Sequence, residues 1–184
     1  MSQETLYWDE VVVQDRAFRL AASVKGVCCI GLPPGQSADR EAEWQQDLQR
    51  LAPGSEALRA PERVAAYMRE LDEYLRGGRT SFSMPLDLRG TSFQLAVWRA
   101  LLAIPYGHVC SYGDIAAVIC RPRAVRAVGT ANGANPVPIV VPCHRVIGKD
   151  GTLTGYGGGL PLKEWLLAIE GVHVRESARA SARR

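Results

Sequence analysis

Apolar and polar positions alternate through residues 7–32, the period of half-buried strands. Tyr7–Val13, Ala17–Ser23 and Val27–Leu32 predict three short strands, with turns at Gln14-Asp15-Arg16 and Lys25-Gly26. That is an antiparallel meander, ended by Pro33-Pro34-Gly35. From Glu41 to Leu51 the period lengthens: Trp44, Leu48 and Leu51 fall on one side of a helix that Pro53-Gly54-Ser55 breaks. Val64, Tyr67, Met68, Leu71, Tyr74 and Leu75 mark a second helix, with Pro61 suited to its start and Gly77-Gly78 to its stop. Phe82, Met84, Leu86 and Leu88 alternate again and predict one more strand.

Beyond residue 88 the pattern is mostly helical. Thr91 and Gln94 have the spacing of a capping box, opening a helix that presents Phe93, Val97 and Leu101 and stops at Pro105. Ser111 and Asp114 repeat that signature before a short helix, Tyr112–Ile119. Cys120-Arg121-Pro122 is a compact break, and Arg123–Asn132 predicts the next helix. Two short helices joined so tightly suggest a helix-turn-helix, whose second member enters a groove of DNA. Ala124, Ala127, Gly129 and Ala131 leave that helix little bulk, and after Arg123 at its start Arg126 is the single long cation that projects from it. Base-reading helices carry several Arg, Asn or Gln, so this one suits sequence-indifferent docking with Arg126 inserted into the stack. A last helix, Pro161–Ile169, carries Leu162, Trp165, Leu166 and Ile169. The expected class is α/β: an N-terminal α+β scaffold domain with antiparallel strands (1–88), a mostly helical domain with a helix-turn-helix (89–171), and a disordered basic tail (172–184).

Charge sharpens this division. Residues 1–88 hold 10 Lys+Arg against 14 Asp+Glu, residues 89–171 hold 8 against 4, and residues 172–184 hold 4 against 1. The helical part is therefore the one suited to a polyanion. No apolar run approaches the ~20 residues of a membrane span, and Met1-Ser2-Gln3-Glu4 has no secretory character. Five cysteines without framework spacing predict reduced thiols in the cytoplasm. Cys28 and Cys29, adjacent on a strand, are expected to face opposite ways and to be filler.

The chemistry concentrates at Val140-Val141-Pro142-Cys143-His144-Arg145-Val146-Ile147. Its β-branched flanks predict a buried extended segment delivering a thiol and an imidazole to a tight turn. A free thiol is mostly protonated near neutrality; His144 and Arg145 offer a proton acceptor and a positive field that favour thiolate. Asn135-Pro136-Val137-Pro138 is a rigid elbow leading in, both residues before proline being pushed to extended conformations. Tyr156, among Gly155, Gly157, Gly158 and Gly159, is suited to wall a small pocket where backbone comes close. Nothing in residues 1–88 reads as an active site.

Pro142-Cys143-His144-Arg145-Val146, Asn135-Pro136-Val137-Pro138, Ala124–Gly129 and Tyr156–Gly159 together resemble the O6-alkylguanine-DNA alkyltransferases, over roughly residues 89–171. The resemblance implies DNA repair by direct reversal. An alkyl group on O6 of guanine, or O4 of thymine, passes once and irreversibly to a cysteine after the nucleotide is flipped out, without cofactor or metal. On that resemblance Cys143 is the acceptor, His144 takes its proton through a bound water, and Glu170 orients the imidazole. Asn135 braces the turn, and Tyr112 contacts the target phosphate and donates to the leaving purine. Arg126 fills the gap left by the base, on a DNA-facing surface with Tyr112, Arg123, Ala124, Ala127 and Gly129. Tyr156, Gly157, Pro138 and Val146 line the pocket. The implied partner is double-stranded DNA containing O6-alkylguanine, bound by a monomer without obligate protein partner or membrane. Gly157 departs from relatives that carry a hydroxyl there, and Asn132 leaves open how alkylation would disturb the recognition helix. Rival classes are a non-catalytic lesion-binding relative, which would lack Cys143; a transcription regulator, which would carry base readers; and a cysteine hydrolase, which would need a distant histidine.

Overall fold

The computed structural model describes residues 3–33 and 39–174. Pro34-Gly35 and tail residues 175–184 lie outside the described residues. The meander forms as β1 (Thr5–Val13), β2 (Arg16–Ser23) and β3 (Gly26–Gly31), antiparallel throughout. The first hairpin turns on Gln14 and Asp15, both at positive φ, the backbone twist that tight two-residue hairpins require. The second turn ends at Gly26, where a Cβ would lie 2.3 Å from Pro85 O, so no larger residue fits.

One strand was not legible. β4 (Glu56–Arg59) pairs parallel to β1, giving sheet order β3-β2-β1-β4. Glu-Ala-Leu-Arg is too short and polar to show a strand period. The strand expected over Phe82–Leu88 does not form. The segment crosses beside β3 with a single bridge, Val27 to Leu86, flanked by Val27 N–H to Pro85 O and Asp87 N–H to Val27 O, each 2.8 Å. Pro85 has no N–H to extend a ladder.

Helix α1 (Arg40–Leu51) is capped by Asp39, which accepts from Ala42 N–H, and α2 (Pro61–Leu75) starts on Pro61 as the sequence suggests. The sheet separates two apolar clusters. On one face Leu6, Trp8 and Ala21 meet Trp44 and Leu48 of α1; on the other Phe18, Leu20 and Val27 meet Val64, Met68 and Leu71 of α2. Cys28 and Cys29 both lie in the α1-side cluster, against the expectation of opposite faces. The register jumps from Ala21–Cys29 to Ala22–Val27, so a bulge at Cys28 turns its side chain inward with its neighbour.

The second half opens with α3 (Ser92–Leu102), followed by β5 (Cys110–Ser111) and α4 (Tyr112–Val118). Both expected capping boxes are formed. Helix α5 (Val125–Gly133) starts later than expected, leaving Arg123 and Ala124 in the turn before it. A 3-10 turn (Cys143–Arg145), β6 (Val146–Ile147) and α6 (Leu160–Ile169) complete the chain. Trp98 of α3 donates to Ala131 O of α5 at 2.8 Å, fixing α5 against the helix behind it. The α2-side cluster continues without a break through Trp98, Val128, Val141, Cys143 and Leu166, so one core underlies both halves. Among the described residues no helix is long and apolar enough to cross a membrane.

Candidate active site

Cys143 is delivered by a braced elbow. Asn135 donates to Val141 O at 2.8 Å and accepts from Val137 N–H at 3.0 Å, tying both limbs of the turn with one side chain. Ile30 N–H, from β3, donates to Pro136 O at 2.8 Å, so the N-terminal sheet holds the elbow from outside. Between the limbs Ile139 sits at φ 77°, fully buried. A β-branched residue in the left-handed region is strained, and strain of this kind collects at functional sites. The cysteine itself does not lie on extended chain. Cys143–Arg145 forms a single 3-10 turn, closed by Arg145 N–H to Pro142 O at 3.0 Å, and only Val146 and Ile147 are strand.

Burial pushes the Cys143 thiol up, so at rest it is a thiol. Opposing this, the Asn135 side chain, the Lys163 charge and backbone N–H groups favour the thiolate. The expected positive field of Arg145 is committed elsewhere. Its Nε lies 3.0 Å from both Glu170 oxygens, its NH2 3.0 Å from Oε1, and its NH1 2.6 Å from Ile104 O. Lys163 takes the role instead: buried on α6, it donates to Val146 O at 2.6 Å and Thr154 O at 3.0 Å. Desolvation lowers its pKa to about 8.

Glu170, the residue capping α6, is the hub of the buried polar network. It also accepts from Gly107 N–H at 2.9 Å and lies 2.8 Å from His144 Nε2. Desolvation works against its ionisation, but His144, Arg145 and Tyr74 outweigh that and bring its pKa to about 2. An ionised carboxylate only accepts, so the imidazole proton sits on Nε2 and the lone pair on Nδ1. His144 Nδ1 is buried and, among the described residues, has no protein partner. Burial lowers the His144 pKa, leaving the imidazole neutral and able to accept a proton.

Cys143 opens on a small cavity of about 50 Å³, lined by Leu32, Asn132, Asn135, Pro138, Tyr156 and Gly157 among others. Three of the four expected pocket residues are there. Val146 is not: it is buried, with its carbonyl held by Lys163. Gly157 is open to solvent, and a Cβ there would meet nothing within 4 Å. Tyr112 stands outside this cavity, at the start of α4, packed beside Gly129 of α5 and accepting from Thr154 Oγ1 at 2.9 Å. Its own proton is left free to donate. Arg126, Ala127 and Thr130 share the exposed face of α5, and Arg121 and Arg123 are exposed in the turn before it.

Residues 92–172 match the family model described as 6-O-methylguanine DNA methyltransferase, DNA binding domain. The inducible methylated-DNA--protein-cysteine methyltransferase of Bacillus subtilis is 46% identical over 169 residues, covering 92% of each chain. This chain belongs to that methyltransferase family. A crystal structure of Mycobacterium tuberculosis OGT in complex with DNA superposes with a TM-score of 0.74 at 38% identity, over 89% of this chain and 92% of that one. The O6-methylguanine-DNA methyltransferase of Pyrococcus kodakaraensis gives 0.64 at 28% identity, over 91% and 99%.

In this methyltransferase three contributors escaped the sequence reading. Tyr74 of α2 is fully buried, donates to Glu170 Oε1 and lies 3.2 Å from His144 Nε2. Leu32 walls the cavity, and Lys163 holds Val146 O just past the cysteine turn. Two of the three come from the half read as scaffold alone. Tyr74 fits the apolar stripe of its helix, and only its oxygen reaches the polar network. Lys163 could have been noticed as a lone cation on the apolar face of α6.

Proposed function

We propose that this chain repairs DNA by taking an alkyl group from O6 of guanine, and from O4 of thymine, onto Cys143. The observation that carries this reading is a cysteine opening on a cavity and followed directly by an imidazole whose free nitrogen has no protein partner. The Cys143 proton passes to His144 Nδ1 through a bridging water. The thiolate attacks the alkyl carbon, an S–C bond forms, and the C–O bond breaks with its electron pair going to the purine. A proton from Tyr112 or water neutralises the leaving base. The alkyl donor is the lesion itself, so no cofactor is consumed.

The target oxygen is hidden in the stack, so the nucleotide is turned out of duplex DNA, costing a few kcal/mol that damaged pairs reduce. Arg126, exposed at the first turn of α5, fills the vacated space, and the small residues around it let backbone approach the groove. Contacts from Arg123, Ala124, Ala127 and Gly129 position the duplex without reading its sequence. A cavity of about 50 Å³ has room for a few waters and is far too small for a purine, so the purine enters by displacing the glycine loop that carries Tyr156 and Gly157. The thioether product has no good leaving group and the site shows no second thiol, so one transfer consumes the protein. It acts as a monomer, with residues 1–88 and 89–171 as its two structural halves.

Titration with duplex carrying radiolabelled O6-methylguanine tests this. Label transferred to protein should saturate at one methyl per chain, and Cys143→Ala should bind the lesion but accept none. Continued turnover past one equivalent would contradict the mechanism.

A further inference from the structure

Tyr74 lies on α2, far in sequence from the cysteine, yet its hydroxyl is buried among the groups that govern His144. It has one proton, and that proton points at Glu170 Oε1. The lone pairs of Oη therefore face His144 Nε2 at 3.2 Å, while Glu170 Oε1 faces the same nitrogen at 2.8 Å. Two acceptors converge on one N–H. An imidazole carrying its proton on Nδ1 instead would set its Nε2 lone pair against both. Its Nδ1, now the donor, would be buried with no protein acceptor.

We propose that Tyr74 is a positioning residue of the alkyl-transfer centre. It holds Glu170 while accepting from His144 Nε2, and so fixes the imidazole in the tautomer whose Nδ1 can take the Cys143 proton. The inference rests on the function proposed above and gives the N-terminal half a part in the chemistry. Tyr74 also tempers the charge that His144 feels. Glu170 already answers the Arg145 guanidinium, and a further hydrogen bond from Tyr74 draws density from the oxygen nearest the imidazole. The other charged neighbour, Lys163, opposes imidazolium formation. Tyr106 packs edge-on to Tyr74, with ring centroids 6.1 Å apart, and its hydroxyl is spent on Ile169 O at 2.8 Å, so it cannot substitute.

Tyr74→Phe removes one oxygen and leaves the ring. At saturating lesion duplex, the single-turnover rate of the folded variant should fall about ten-fold, the worth of one charge-assisted hydrogen bond. The acid limb of its pH–rate profile should move to higher pH: the charge released on the Glu170 carboxylate, 2.8 Å from Nε2, outweighs loss of the neutral Tyr74 acceptor at 3.2 Å in stabilising imidazolium, and the proton acceptor must be neutral to work. A folded variant whose acid limb stays in place overturns the proposal, whatever its rate. Should the variant fail to fold, ¹⁵N NMR of His144 in the unaltered protein decides. A proton on Nε2 with the lone pair on Nδ1 is expected, and a proton on Nδ1 overturns it. The NMR result does not depend on transfer, so absence of any methyl on Cys143 would count against the function and not against this assignment.

Discussion

Among the described residues, three buried polar atoms near Cys143 have no protein partner: Asn132 Oδ1, His144 Nδ1 and Tyr156 Oη. Buried polar groups are satisfied almost everywhere in folded proteins, and such a cluster of exceptions beside the cavity is suited to water and to a polar ligand. Asn132 also joins α5 to the cysteine turn, since its Nδ2 donates to Cys143 O at 3.4 Å. Asn135 does the heavier structural task. Asn135→Ala loses two hydrogen bonds across the elbow and should lower stability by about 2 kcal/mol; denaturant melts would show this, with slower transfer because Ile139 and Cys143 lose their register. Gly157→Ser should be neutral in the same melts, within about 0.5 kcal/mol, since a Cβ at that position meets open space. At this scale the Cys143-His144 pair was legible because its residues are contiguous. Tyr74 and Lys163 were not, because each reaches the site with a single terminal atom from an element whose period is otherwise apolar.

Among the elements, α5 presents a nearly bare exposed face. Arg126 is the one long cation on the helix proper, Arg121 and Arg123 lying in the turn before it. Arg126→Ala should leave the melting temperature in place, weaken binding to duplex DNA and slow alkyl transfer, because the flipped nucleotide is no longer kept from restacking; unaltered single-turnover kinetics would remove Arg126 from the vacated space. Both helices with capping boxes could be read from the chain because the boxes are local hydrogen-bond arrangements. Tertiary context decided the rest. The 3-10 turn at Cys143 arises where Asn135 and the strained Ile139 redirect β-branched residues that local propensity assigns to a strand. The bulge at Cys28 and the failed strand at Pro85 likewise depend on partners distant in sequence.

At the scale of the molecule, the Glu170 network ties α2, α6 and the cysteine turn into one buried unit. Its carboxyl is held at about 2, below the ordinary carboxylate range. The stability it contributes is therefore complete above that ordinary range and is lost as pH falls toward about 2. Glu170→Gln strands the Arg145 charge and should cost about 3 kcal/mol near neutrality; pH-dependent denaturation should show that deficit shrinking as the medium is acidified. The proposed repair uses a single sulfur once. Peptide mass spectrometry after incubation with excess O6-methylguanine duplex tests it most directly. One added methyl on the peptide carrying Cys143 and unmodified guanine in an equal amount of DNA are expected; repaired DNA beside an unaltered Cys143 would rule out transfer to this sulfur.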